Sequence, residues 1–547
     1  MVSRAARIGL LLLALFGIAV GVDGLMRPLG NPDEGRYSEI SREMAATGDW
    51  ITPRLDGIKY FEKPPLQYWA TAGIFRVLGE GEFTARLYVA MCAIGTLLLA
   101  AYTARRLGTP AERDGTIFAL LASPYFMALG TIVTLDMGLT FWTTAAVCAF
   151  VLAEQAAQRN SRSAVGWIAF AWAATAFAVL SKGPVGIVFA GALVFFHCVL
   201  QRDFSALKRL GWWYGLPLFL AIAVPWFVAV SRANPEFASF FFIHEHVDRF
   251  LTNEARRVQP WWFFLPIVAL GFLPWTFALP AAIRAAWTSE AGQRFQPLRV
   301  GLLWCVFVIA FFSASGSKLP TYVLPVFPIL GIVLGRYLAT APTQRLAWCA
   351  GLGALLVLPL GIFAWNVANG HHDAWREDLY RDARPWALTM AATYLAGAVA
   401  GAVLLRRGRR WTGIAALTFC ALFAMDCLED AYEALSPLQS GLQVSTEMKP
   451  WLKPDTRLYS VHHYDQTLPF YIGRTMMLVD YGDEFEMGLI SEPWRSITYA
   501  ADFPEQWLRP GDAMAIMQPD SFKTFQRQGL PMQVLHQDPR RVLVRKP

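Results

Sequence analysis

Cysteine is scarce. The chain has 7 in 547 residues, and Cys92, Cys148, Cys198, Cys305, Cys349, Cys420 and Cys427 all lie in or beside apolar runs. None sits in a long polar loop, which argues against a disulfide framework and against a zinc site built on Cys. Charge is also thin, at 16% of residues. The net charge of +7 is spread over short loops instead of forming an arm or stripe, so nucleic acid is not an indicated partner. There is no Gly-rich phosphate loop and no internal repeat. What the chain has in abundance is apolar: 55% of residues are hydrophobic, with 21 Trp and 38 Phe. That composition exceeds the globular norm and suits a protein with aromatic belts at lipid headgroups.

The apolar runs are long enough to cross about 30 Å of hydrocarbon. They read as about thirteen spans, at 8–25, 82–104, 114–130, 137–155, 165–180, 184–200, 210–229, 261–282, 299–314, 321–337, 346–367, 386–405 and 411–428. Every second short loop is basic: Arg4/Arg7, Arg105/Arg106/Arg113, Arg159/Arg162, Arg202/Lys208/Arg209, Arg284/Arg294/Arg299, Arg336/Arg345 and Arg406/Arg407/Arg409/Arg410. That face belongs in the cytoplasm. The N-terminus is then inside, and its first run, with no small-x-small site after it, is expected to stay as a span. The opposite face receives long segments at 23–83 and 231–260, a short polar loop at 369–385, and the tail. The division is a transmembrane unit over 1–430 and an outer unit over 431–547. In the tail, strand-like runs at 458–461, 476–479, 513–517, 533–536 and 542–544 alternate with helical stretches at 467–473 and 521–528, which suggests a small α/β domain. On the first outer segment, 34–44 reads as a short helix with Tyr37, Ile40, Ser41 and Met44 on one face, lying in the interface. Pro64-Pro65 opens a second helix through Val77.

Residues able to do chemistry gather at span ends on the outer face. Asp33-Glu34 stands at a helix start, where an acid either caps the helix or faces an aqueous cavity. Asp136 begins the fourth span, and an ionisable residue there is costly unless it serves a site. Glu62-Lys63 joins the two outer helices. It reads as a surface pair, worth little, or as part of the site. Lys182 in Ser-Lys-Gly-Pro and Lys318 in Ser-Lys-Leu-Pro stand on the outer side against the basic-inside bias. They either snorkel or, with Gly and Pro breaking the helix, meet an anion. His244 and His246, with Glu62 as third ligand, form a candidate site for a divalent cation, zinc or magnesium; structural histidines are the alternative. Arg249, Arg256 and Arg257 offer guanidinium groups that match phosphate or lipid headgroups. The candidate catalytic set is Asp33, Asp136 and Lys63. The candidate substrate-binding set is Glu34, Arg36, Tyr37, Lys182, Arg249, Arg256, Arg257, Lys318 and Tyr322.

Carboxylates and cations where a lipid headgroup would sit suggest an amphiphilic phosphate as substrate. Loss of a lipid phosphate needs cations for the developing charge and little protonation. An acceptor hydroxyl would need a carboxylate base, whereas an acceptor phosphate would not. Asp-Glu-Gly-Arg-Tyr-Ser-Glu-Ile-Ser-Arg-Glu-Met from Asp33, Tyr-Phe-Glu-Lys-Pro-Pro from Tyr60, Ser-Lys-Gly-Pro, Glu-His-Val-Asp-Arg-Phe and Gly-Ser-Lys-Leu-Pro-Thr-Tyr resemble the bacterial lipid A aminoarabinose transferases (ArnT-type). These belong to the GT-C, protein-mannosyltransferase-like membrane glycosyltransferases. The resemblance covers about residues 31–328. It implies a polytopic α-helical fold of GT-C type and transfer of 4-amino-4-deoxy-L-arabinose from undecaprenyl phosphate to lipid A phosphates. It also implies a site facing the periplasm of a Gram-negative inner membrane and weakened binding of polymyxin and other cationic peptides. A monomer among membrane lipids is expected. Two readings stand beside it: transfer from polyprenyl-phosphate mannose to protein Ser/Thr, and a transporter of lipid-linked sugar. The second calls for midplane charges and pseudo-repeats that are not seen.

Overall fold

The computed structural model describes residues 21–242, 258–290, 295–368 and 374–547. Its first elements are two short helices, α1 (Asp33–Thr47) and α2 (Leu66–Leu78), with a two-residue hairpin of β1 (Arg54–Leu55) and β2 (Ile58–Lys59) between them. Gly48 ends α1 in the left-handed region, and its N–H bonds back to the Met44 carbonyl, a common helix stop. The bundle then runs through α3 (Glu82–Leu107), α4 (Pro110–Leu121), α5 (Leu135–Gln158), α6 (Ser163–Lys182), α7 (Val185–Gln201) and α8 (Trp212–Ala233). It continues with α9 (Pro297–Ala314), α10 (Val326–Thr340), α11 (Ala374–Arg406) and α12 (Arg410–Ala434).

Among the described residues seven helices are long and apolar enough to cross a bilayer, and a bent pair makes an eighth. The remaining apolar segments are helical but short or broken, so the thirteen even spans expected from hydropathy become a less regular set. The 261–282 run is two helical pieces, Phe264–Gly271 and Thr276–Ser289, bent by 107° around Pro274. The 114–130 run breaks at Pro124, where Ser123 caps the new turn. The 346–367 run divides into Thr343–Leu355 and Val357–Ala368. The polar loop expected at 369–385 is, from Ala374 onward, the first turns of α11. Most of the first span lies outside the described residues.

α5 is the hub: 89% of its membrane-length window is enclosed by protein, against 22% for α8. Its small residues, among them Gly138, Ala145, Ala149 and Ala153, let neighbours approach closely, the usual packing currency of helices in lipid. α4 and α10 cross backbone to backbone. A Cβ on Gly115 would meet the Gly335 carbonyl oxygen at 2.3 Å, and one on Gly335 would meet the Thr116 nitrogen at 2.4 Å. Only glycine permits that approach.

The tail forms a six-stranded sheet of order β5-β4-β3-β6-β8-β7. β3 (Arg457–Val461) is central and parallel to β4 (Met477–Val479) and β6 (Ala513–Met517). β5 (Ser496–Ile497) extends the parallel edge, and β8 (Val542–Arg545) pairs antiparallel with β6 and with β7 (Gln533–Gln537). Helices cross between the parallel strands, so the central strands read as continuous apolar runs. One face of this sheet is closed by the first outer segment. Leu29, Tyr37, Ile40, Met44 and Tyr68 share a core with Leu458, Leu468, Leu478 and Ile516. α1 therefore does not lie in the interface with one wet face. Its polar side is enclosed too: Glu39, Arg42 and Glu43 are all buried, and the two nitrogen–oxygen contacts between Arg42 and Glu39 are each 2.7 Å. Gly35 lies so close to Gln466 that a Cβ would meet its carbonyl carbon at 2.5 Å.

Candidate active site

Asp33 and Glu34 are sequence neighbours with opposite roles. Glu34 points inward and is 3% exposed. Its carboxylate accepts from Arg86 Nε and Nη2, both at 2.8 Å, from Gly30 N at 2.9 Å and from Val133 N at 3.1 Å, and Arg27 stands at 3.5 Å. Burial works to raise its pKa, but the charges of Arg86 and Arg27 and these hydrogen bonds overturn that and hold it at about 2. No face of the carboxylate is left for a substrate, so Glu34 is a structural hub and not the substrate contact expected from sequence. What it fixes is register: it ties the start of α1 to the loop just before Asp136.

Asp33 points the other way. Its side chain is 37% exposed and accepts from Arg36 Nη1 at 3.0 Å. Arg36 is shared with Glu484, contributed by the tail domain, whose other oxygen accepts from Gln466 Nε2 at 2.9 Å. Burial works against the Arg36 charge, but Tyr60, Glu484, Tyr37 and Asp33 outweigh it and hold its pKa well above the ordinary value. Tyr37, Tyr60 and Tyr68 are fully enclosed around it. Burial pushes each hydroxyl up, and Glu62 adds to all three. The hydroxyls of Tyr60 and Tyr68 have no hydrogen-bond partner among the described residues. Lys63 Nζ lies 3.0 Å from the Glu62 carbonyl and 3.6 Å from its carboxylate.

A second group forms at the ends of α5 and α6. Asp136, in the first turn of α5, is 5% exposed and makes an ion pair with Lys182, the last residue of α6. The same ammonium lies 4.3 Å from the ring centroid of Tyr322, a cation–π contact that sets the ring face against the pair. Tyr322 is held in a short turn, Pro320–Val323, against Phe312. Gly183, at positive φ, ends α6 and turns the chain immediately after Lys182. The two groups share one face. Phe61, next to Glu62, packs with Leu180, two residues before Lys182. Leu135, next to Asp136, packs in the core that holds Tyr37 and Tyr68.

Lys318 departs from its expected role. It is buried, and Nζ donates to the Ser315 carbonyl at 2.7 Å, closing its own loop. His244, His246, Arg249, Arg256 and Arg257 lie outside the described residues. Among the described residues no group of three or more His, Cys, Asp or Glu could hold a metal ion, and Glu62 is the one member of the expected ligand set that falls within them. Sequence reasoning passed over Arg86, Arg27, Tyr60, Tyr68 and Glu484. An Arg at the outer end of an apolar helix was a usable signal for Arg86. Glu484 carried none beyond an acidic stretch after Gly482.

Helices of membrane length, carboxylates and cations converging at one end of the bundle, and an appended α/β domain over that end define a multi-pass membrane protein of GT-C type. Residues 30–241 match the family model described as dolichyl-phosphate-mannose-protein mannosyltransferase, and residues 444–546 match the aminoarabinose transferase C-terminal domain. An undecaprenyl phosphate-alpha-4-amino-4-deoxy-L-arabinose arabinosyl transferase of Aeromonas salmonicida is 33% identical over 71% of this chain and 70% of its own length. Its counterpart from Edwardsiella ictaluri is 33% identical over 63% of each chain, so the match spans just under two thirds of that relative. The crystal structure of ArnT from Cupriavidus metallidurans bound to undecaprenyl phosphate superposes with a TM-score of 0.91 at 34% identity, covering 99% of this chain and 98% of that one. The chain belongs to the aminoarabinose transferase (ArnT) family.

Proposed function

We propose that this protein transfers 4-amino-4-deoxy-L-arabinose from undecaprenyl phosphate to a lipid A phosphate at the periplasmic face of a Gram-negative inner membrane. The observation that carries the reading is the pairing of Asp136 with Lys182 beneath Tyr322, on the same bundle end as Asp33, Arg36 and Lys63, in a fold shared with an undecaprenyl-phosphate-bound relative. In the reaction, an oxygen of the acceptor phosphate forms a bond to the anomeric carbon as the bond from that carbon to the donor phosphate oxygen breaks. The electron pair leaves with undecaprenyl phosphate. Lys63 and Lys182 stabilise the charge that grows on the leaving group. Asp136 holds Lys182 in place, and Asp33, steadied by Arg36, orients the sugar and the incoming phosphate. No proton must leave the acceptor, so no residue needs to act as a strong base.

A monomer as the working unit is part of the proposal. Masking lipid A phosphates with an amino sugar would weaken binding of polymyxin and other cationic peptides. A divalent cation on Glu62, His244 and His246 remains part of the proposal. Metal analysis of chelator-free protein against the double His→Ala variant tests it, and no step above is routed through it. The match of residues 30–241 to the mannosyltransferase model supports one alternative, hexose transfer to protein Ser/Thr. Product mass separates the two: aminopentose on lipid A supports the proposal, and hexose on secreted protein with unmodified lipid A overturns it.

A further inference from the structure

At the opposite end of the bundle from the proposed site there is a second set of features that the transfer reaction does not use. α6, α7 and α8 enclose an apolar groove of about 550 Å³, lined by residues such as Ala171, Trp172, Gly191, Phe195 and Phe219. Along α7 the lining runs from Ile187 to Cys198, about 16 Å at 1.5 Å per residue. That is the depth of one leaflet, half of the roughly 30 Å hydrocarbon core. Toward the basic face the groove gives way to a polar cavity of about 310 Å³, lined by Glu154, Arg202, Asp203 and Arg209 among others. The two adjoin along one segment, where Cys198, Phe204 and Leu207 line the groove and Gln201, Arg202 and Asp203 line the cavity. Phe150, in the groove wall, packs edge-on to His197 at 5.1 Å, and His197 Nε2 lies 3.3 Å from the Glu154 carboxylate.

The polar cavity is a built site. Glu154 is 2% exposed, and Arg209 Nη2 reaches it at 2.6 Å and Asp203 at 2.8 Å. Its lining holds two acids and two arginines, so its charge is balanced. Arg202 is exposed at the mouth, in the left-handed region that turns the chain out of α7. From Asp136 to Glu154 along α5 is about 27 Å, which places this cavity a bilayer core away from the transfer site. The neighbouring loops carry Arg159, Arg162 and Lys208, the pattern of the cytoplasmic side.

We infer that groove and cavity form a binding site for one inner-leaflet glycerophospholipid with a zwitterionic, amine-bearing headgroup. An acyl chain fills the groove, the phosphate meets Arg202, and the ammonium turns to Asp203, whose side chain is 34% exposed. A net anionic headgroup offers the same phosphate to Arg202 but no cation to Asp203, so it gains one contact fewer.

The test is native mass spectrometry of the full-length protein after exchange with vesicles of phosphatidylethanolamine or phosphatidylglycerol of the same acyl chains. The wild type should retain one phosphatidylethanolamine per chain, in preference to phosphatidylglycerol by about tenfold, the factor that one charge-assisted hydrogen bond supplies. Gly191→Trp should abolish retention. A Cβ at Gly191 meets nothing within 4 Å, so the indole fills the groove without a backbone clash, and Gly191→Ala serves as the control that keeps the lipid. Arg202→Ala, at the exposed mouth, should weaken retention of both lipids, whereas Asp203→Asn should remove the preference for phosphatidylethanolamine, each with the fold intact. Equal retention of the two lipids by the wild type overturns the inference. So does undiminished retention in Gly191→Trp, or an unchanged preference in Asp203→Asn.

Discussion

Replacing Glu34 and Asp33 one at a time should give opposite phenotypes from adjacent residues. In Glu34→Gln the side-chain shape is kept, but Arg86, which is fully buried, loses its bidentate counter-charge and retains the carbonyls of Leu25, Arg27 and Pro28. Removing one partner of a buried pair costs about 3–5 kcal/mol, mostly because the other charge is stranded. The titration gives a consistent figure: moving a carboxyl from 4.5 to about 2 corresponds to about 3 kcal/mol. A lowered carboxyl pKa stabilises the fold above the unfolded value, so this contribution is complete above about pH 4.5 and is lost as pH falls toward 2. Glu34→Gln should therefore lower the thermal midpoint in detergent at pH 7 by several degrees, and should lose less stability than the wild type between pH 5 and pH 3. Asp33→Asn breaks a partly exposed pair and should change stability by less than about 1 kcal/mol while abolishing transfer. Wild-type stability in Glu34→Gln with loss of transfer would refute the assignment of Glu34 to the scaffold.

Further outcomes follow from the same geometry. Asp136→Asn and Lys182→Met should each lower both stability and transfer, because each strands a buried charge, whereas the double variant should recover stability but not transfer; stability measured by thermal melt alongside a single-turnover assay checks this. Glu484→Gln should reduce transfer without altering the tail sheet, since Arg36 loses its anchor from that domain; circular dichroism and transfer assays on the same preparations decide it. Burial, with Glu39 adding, raises the Asp56 carboxyl well above its ordinary value while its Oδ1 accepts from Met476 N at 2.7 Å. A raised carboxyl pKa stabilises the fold below the unfolded value, and that contribution is lost as pH rises through the folded value. Asp56→Asn keeps the acceptor and should be more stable than the wild type at alkaline pH, measured as melting temperature against pH.

The membrane class and the α/β tail were legible because hydropathy and strand periodicity are local signals. That Asp136, Lys182 and Tyr322 meet was foreshadowed because each is a polar residue at an apolar segment's end, where only function or capping keeps it. Glu34 was misread because adjacent residues at a helix start look alike in sequence; the partner that turns one inward, Arg86, is 52 positions away. Lys318 was misread because its loop folds back on itself, and no composition signal reports a backbone acceptor three residues upstream. The enclosed polar face of α1 was hidden for the same reason. Its cover is the tail domain, and a pattern computed within one helix cannot see a surface supplied some 430 residues later.

The most direct measurement is the mass of lipid A from cells that make the lipid-linked aminoarabinose donor, expressing either the wild-type chain or Asp33→Asn at matched membrane levels. Aminopentose additions on lipid A phosphates with the wild type, and none with Asp33→Asn, is the predicted result. Unmodified lipid A in both, or equal modification in both, would contradict it.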